Sequence, residues 1–191
     1  ALAWDDFVAM LRPKVLGGWL LHQLTQGLDL DFFISYTSGA GIWGGKQQAH
    51  YAAANHGLDG LMAYRRSLGL PGLSIAWGPW AGSKELPGMA TPEVQAMFAA
   101  MGVRAFSPQQ GMAVLAALLQ STASQMTAAD VQWSHLQTLY ALTKPRRFLA
   151  EVATAPMVSA AHNEEQPTAT LTKAALVEEL AALTANRRVD H

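Results

Sequence analysis

"DFFISYTSGAGIWGGKQQAHYAAANHGLDGLMAYRRSLGLPGLSIAWGPW", residues 31 to 80, decides the fold of this chain. Its first eight residues are rich in aromatic and β-branched side chains and read as a strand. The strand runs into "SGAGIWGG", whose four glycines let the backbone turn sharply and approach a ligand closely. A long helix is expected from about Lys46 to Leu68, closed by Gly69 and Pro71, and "GLSIAWGPW" then supplies a second strand ending at a Gly-Pro break. Strand, loop, helix and strand in this order make the crossover unit of a parallel sheet with flanking helices. That is an α/β fold, and its ligands sit in the crevice at the carboxyl ends of the strands, here Ser35 to Gly41 and Trp77 to Gly82.

Outward from this core the pattern continues. From Asp5 to about Gly27 apolar residues recur at helical spacing, among them Phe7, Val8, Leu11, Val15, Trp19 and Leu24. Pro13 is expected to kink or restart that helix, and Lys14 follows it directly. Downstream, "GSKELPGMATPEVQAMFAAMGV" reads as a loop and short amphipathic helix able to serve as a lid. "SPQQGMAVLAALLQ" reads as a helix capped by Ser107 with Pro108 at its first position, and "QMTAADVQW" as one more strand. After Val152 the composition turns small and polar, so residues 153–169 read as a flexible linker. A final helical pattern occupies residues 170–191.

Of the 191 residues half are hydrophobic, enough to bury a substantial core, and only 14% are charged, with a net charge of −1. That leaves no basic footprint for nucleic acid. The absence of cysteine excludes disulfides, thiolate metal sites and cysteine nucleophiles. No apolar run approaches the roughly 18 residues of a membrane span, and "ALAWDDFV" lacks the features of a signal peptide, so a cytoplasmic protein is expected. The chain begins without methionine in what reads as a helix already under way, and is expected to be a piece of something longer.

The candidate chemistry starts at Tyr51 and Asn55, four apart and therefore on one helix face, with Ala52, Ala53 and Ala54 permitting close approach. A tight helix contact would use the same residues. A tyrosine hydroxyl has an ordinary pKa of about 10, so work as an acid near pH 7 calls for a nearby cation. Lys46 would lie about 140° round the helix from Tyr51. Arg65 and Arg66 are more than three turns along. Lys14 remains, although a lysine after a proline is more commonly a surface residue. Ser38 ends the first strand where the crevice opens and could hydrogen-bond a substrate carbonyl; ordinary turn chemistry accounts for it equally. The context is not G-x-S-x-G, which sets a nucleophilic serine aside. The six histidines make no metal-ligand spacing, so no metal site is expected. Most tryptophans read as core, while Trp43 and Trp80 fall in the crevice loops, where they could line a pocket.

Together "LRPKVLGGWLLHQL", the segment from "SYTSGAG" to "WGPWAG", and "AADVQW" resemble the ketoreductase domain of modular type I polyketide synthases, in the short-chain dehydrogenase/reductase superfamily. The resemblance covers about residues 4 to 152. Lys14 to Ser38 is 24 residues, Ser38 to Tyr51 is 13 and Tyr51 to Asn55 is 4, as in that family's catalytic tetrad. The resemblance implies a Rossmann-like sheet of which this chain holds the C-terminal portion, residues 1–152. It makes Tyr51 the proton donor to a β-keto oxygen and Ser38 a hydrogen-bond donor to the same oxygen. Lys14 becomes the missing amine, and Asn55 holds the constellation or its proton relay.

NADPH is the implied cofactor, held by Lys14, Tyr51, Gly78 and Pro79. The substrate would be a β-ketoacyl chain on an acyl carrier protein, to which residues 170–191 lead as a linker helix. The family's glycine-rich dinucleotide fingerprint lies upstream of the segment matching Lys14, so the resemblance implies an N-terminal half as a partner alongside other synthase domains. Family members of one product stereochemistry carry a tryptophan three residues before the tyrosine. Gln48 stands there instead, in the expected substrate pocket, and leans toward the opposite configuration. An inactive pseudo-ketoreductase that scaffolds neighbouring synthase domains is the alternative.

Overall fold

The structure, a computed structural model, describes residues 3–45, 47–82, 92–142 and 152. The chain falls into two units, Ala1–Pro145 and Arg146–His191, and the sheet with its helices belongs to the first. The expected linker at 153–169, the helix at 170–191, Lys46 and most of the loop ahead of the lid helix lie outside the described residues.

Three parallel strands form the central sheet in the order β1 (Ile34–Ser38), β2 (Leu73–Trp77), β4 (Gln125–Ala128). Ser38 stands opposite Trp77, and Trp77 opposite Ala128, so all three strands end at one level. That level is the crevice. Helix α4 (Ala49–Ser67) links β1 to β2, and α6 (Pro108–Leu118) precedes β4. The Rossmann-like parallel sheet with flanking helices is therefore present. Strand β1 pairs with β2 alone among the described residues.

The two faces of the sheet differ in chemistry. Toward α6, Leu73, Ile75, Trp77, Leu115 and Ala128 form an apolar core, each large side chain stabilising by about 1.5–3 kcal/mol. Toward α4 the sheet presents Ser35, Thr37, Ser74 and Ala76, all buried and three of them hydroxyl-bearing. A second cluster of Leu58, Leu61 and Met62 holds α4 near its carboxyl end, against Phe33.

The first helical stretch does not restart at Pro13. It passes through a π-helical turn, Arg12–Leu16, between α1 (Trp4–Leu11) and α2 (Gly17–Thr25). Proline has no N–H to give and its ring crowds the preceding turn, and a widened turn relieves both problems while keeping the axis continuous. Glycines let α2 and the π turn lie close on α4. A Cβ at Gly18 would come within 2.6 Å of Leu58 Cδ2, and one at Gly57 within 2.9 Å of Val15 Cγ2.

Several boundaries differ from expectation. Helix α4 begins at Ala49, after a short α3 (Ala40–Trp43) and a loop with Gly44 and Gln47 at positive φ. The lid segment contains α5 (Pro92–Ala100). "QMTAADVQW" divides into β4 and a short β5 (Asp130–Val131), which pairs antiparallel with β3 (Val103–Arg104). Helix α7 (Trp133–Ala141) comes next and packs through Leu136 on Val103 and Val131. The α6 cap is as read: Ser107 and Gln110 form a capping box with Pro108 in the first turn.

Candidate active site

Lys14 reaches the crevice from the π turn. Its ammonium donates to the Tyr36 carbonyl at 3.5 Å and lies 6.0 Å from the centroid of the Tyr51 ring. Two different helices thus bring a cation and a phenol together. Tyr36 itself stacks on Trp77, with centroids 5.5 Å apart, and burial pushes its hydroxyl above the ordinary tyrosine range.

Tyr51 sits half-buried in the first turn of α4, and its hydroxyl makes no hydrogen bond among the described residues. One turn on, Asn55 is fully buried; its Nδ2 donates to the Tyr51 carbonyl at 2.7 Å, while its Oδ1 has no partner among the described residues. Ser38 closes β1, and its Oγ accepts the Ala40 N–H at 3.2 Å. Occupying that lone pair leaves the hydroxyl proton free to be donated outward.

The other expected positions divide. Gly78 donates its N–H to the Ala128 carbonyl at 2.7 Å, and Pro79, buried, accepts from Phe106 N at 2.9 Å. Both are fixed at the end of β2. Gln48 is exposed, its carboxamide folded back over Gly45. Trp43 is buried, its ring lying over Gly39 and edge-on to Trp133 at 5.9 Å. Trp80 packs against Trp77 at 4.8 Å and over Gly111 of α6. A cavity of about 400 Å³ lies beside Pro79, between α5 and β3, lined by Ala96, Phe98, Ala99, Val103 and Arg104. It includes none of Lys14, Ser38, Tyr51 or Asn55.

Residues that the sequence reading missed support these groups. Tyr36 holds Lys14 through its carbonyl, and the π turn aims the lysine. A buried network of Asp59, Thr37 and Ser74 joins α4 to both neighbouring strands. Asp59 was open to detection, since it continues the series Tyr51, Asn55 at steps of four and sits beside Leu58 and Leu61. No group of three or more potential metal ligands occurs among the described residues.

The donor set fits a nicotinamide cofactor. The ammonium of Lys14 spends one of its three N–H groups on Tyr36, leaving two for the hydroxyls of a ribose, and the phenol beside it is uncommitted.

A Rossmann-like parallel sheet with flanking helices is the fold of the short-chain reductases. The KR domain family model matches residues 2–82, and the chain is similar to ketoreductases of modular polyketide synthases. The pikromycin polyketide synthase component PikAIII of Streptomyces venezuelae is 36% identical over 157 residues, 82% of this chain and 10% of that protein. Erythronolide synthase EryA3 of Saccharopolyspora erythraea is 34% identical over 155 residues, 81% of this chain and 5% of that protein. Among solved structures, A-type ketoreductases from a modular polyketide synthase superpose with a TM-score of 0.74 at 33% identity, over 81% of this chain and 32% of theirs. The first ketoreductase of the tylosin synthase gives 0.70 at 34% identity, over 81% of this chain and 35% of its own. The chain thus spans about a third of the solved ketoreductases that it matches. No helix among the described residues is long and apolar enough to cross a membrane.

Proposed function

We propose that this chain supplies the catalytic face of an NADPH-dependent reductase that converts the β-keto group of a carrier-tethered polyketide intermediate to a β-hydroxyl. One observation carries the reading: the Lys14 ammonium, delivered from the π turn, lies over the ring of Tyr51, whose hydroxyl is uncommitted. NADPH, when bound, supplies the hydride, with Lys14, Tyr51 and the strand end at Gly78 and Pro79 as the residues that would hold it. Tyr51 gives its phenolic proton to the oxygen that becomes an alkoxide. Ser38 donates a hydrogen bond to that same oxygen, stabilising the charge as it develops. Lys14 adds a positive charge beside the phenol, and Asn55 fixes the turn carrying Tyr51 while presenting Oδ1 as an acceptor for a proton relay.

The remainder of the site would come from an N-terminal, nucleotide-binding half. Two features support such a partner: the edge of β1 that pairs with no strand among the described residues, and the exposed apolar side chains Trp19, Leu20, Leu21 and Leu24 on α2. Residues 153–191 would lead toward a carrier domain and the other synthase domains.

The test is reconstitution. The chain is co-expressed with the nucleotide-binding half of a related ketoreductase, and NADPH oxidation is followed with a β-ketoacyl thioester. Turnover that vanishes in Tyr51→Phe supports the reading. A folded complex that binds NADPH but never reduces the thioester overturns it in favour of the scaffold.

A further inference from the structure

We infer that Asp59 is a positioning residue of this reductase, a buried peg that sets the register of α4 against β1 and thereby the placement of Tyr51 relative to Ser38. The inference rests on the proposed roles of the tetrad. Asp59 is 5% exposed and Ser74 and Thr37 are equally inaccessible. Its Oδ1 accepts from Thr37 Oγ1 at 2.9 Å and from Ser74 Oγ, and the two hydroxyls lie 3.1 Å apart. One carboxylate oxygen is therefore held by hydroxyls on two adjacent strands. The other oxygen makes no hydrogen bond among the described residues; the exposed imidazole of His56 lies 3.3 Å away.

Stability alone does not account for a carboxylate here. Taking one out of water costs several kcal/mol. What the carboxylate supplies is direction. The sheet face beneath α4 consists of Ser35, Thr37, Ser74 and Ala76, too small and smooth to interlock with a helix. Without a peg, the helix has little to stop it sliding along the strands.

Thr37 immediately precedes Ser38, and Asp59 lies two helical turns, about 12 Å, beyond Tyr51 on the same rigid α4. Gripping Thr37 therefore fixes the Ser38 hydroxyl and the Tyr51 hydroxyl in one frame. A displacement of about 1 Å between reacting groups can cost about 10²-fold in rate.

The experiment uses the reconstituted reductase, with kcat and KM measured separately and folding followed by thermal unfolding. Thr37→Val keeps the shape of the side chain and deletes one donor; it should lower kcat about tenfold with KM within about twofold, because binding groups are intact and only alignment is lost. Asp59→Leu should lower kcat about 10²-fold. Asp59→Asn, which keeps an acceptor at Oδ1, and Thr37→Ser should each restore most of the loss.

Leu136→Ala, in the separate core formed with Val103 and Val131, is the comparison: it loses stability without a specific loss of kcat. Wild-type kcat in Thr37→Val, or losses in both network variants that merely match those of Leu136→Ala, would overturn the inference. If Asp59→Leu does not fold, Thr37→Val decides. An unimpaired Tyr51→Phe would instead overturn the tetrad reading, and the two failures are thereby told apart.

Discussion

The Lys14 ammonium stands 6.0 Å from the centroid of the Tyr51 ring although the two residues belong to different helices. In the reconstituted reductase, Tyr51→Phe should lower the reduction rate about 10²–10⁴-fold, since phenylalanine has no proton to give. Lys14→Ala should leave a slower enzyme, down about 10²-fold, because an electrostatic contribution is lost while the acid remains. Lys46→Ala should be without effect. Steady-state NADPH oxidation checks all three.

The chain by itself should not bind NADPH tightly, because its G-x-G-x-x-G match, Gly39 to Gly44, runs into only the four-residue α3 and not into a long helix whose N-terminus could cradle the pyrophosphate. Fluorescence titration of residues 1–191 should show no micromolar binding, and adding the nucleotide-binding half should restore it.

Gly111 lets the ring of Trp80 lie flat on α6, where any Cβ would collide with the six-membered edge of the indole. The ring is rigid and is held between Trp77 and Phe106, so it has nowhere to swing. Gly111→Ala should therefore cost about 1–3 kcal/mol, against the gain of about 1 kcal/mol that alanine brings to an unhindered helix interior. Urea unfolding gives the sign directly.

Arg65 is completely buried without a carboxylate in contact among the described residues, and burial pulls its guanidinium below the ordinary arginine range. It is held by the Pro71 carbonyl at 2.8 Å, Thr25 Oγ1 at 3.1 Å and the face of Phe33 at 3.8 Å. Arg65→Ala should destabilise by about 3 kcal/mol, combining a cavity with orphaned acceptors. Lysine should not rescue it, because one ammonium cannot reproduce the planar fork. The midpoint of urea unfolding measures both.

Tyr36 gives the expected pH dependence. Burial raises its folded-state pKa above the unfolded value of 10.0, so the hydroxyl contributes stability that is fully present below pH 10 and is lost as pH rises through the folded value. Tyr36→Phe should flatten the alkaline fall in unfolding free energy relative to wild type, as equilibrium unfolding between pH 9 and about 11 would reveal.

The alternation of "DFFISYTS", a helical run and "GLSIAWGPW" was enough to specify two parallel strands and the helix between them, because burial periodicity and glycine and proline breaks are local properties. The Ser107 cap was equally legible, since a capping box lies within four residues. The spacings of 24, 13 and 4 match the catalytic tetrad of the family that the chain resembles. Tertiary structure alone decided how its members meet. The π turn at Pro13, which aims Lys14, depends on close seating against Gly57 of a helix more than forty residues away. The division of "QMTAADVQW" into two strands depends on β3, a partner twenty-six residues upstream that has only two residues to announce it. The Asp59 peg exists because β1 and β2 bring Thr37 and Ser74 under one helix face, and a hydrogen bond between residues this distant in sequence leaves no periodic signal.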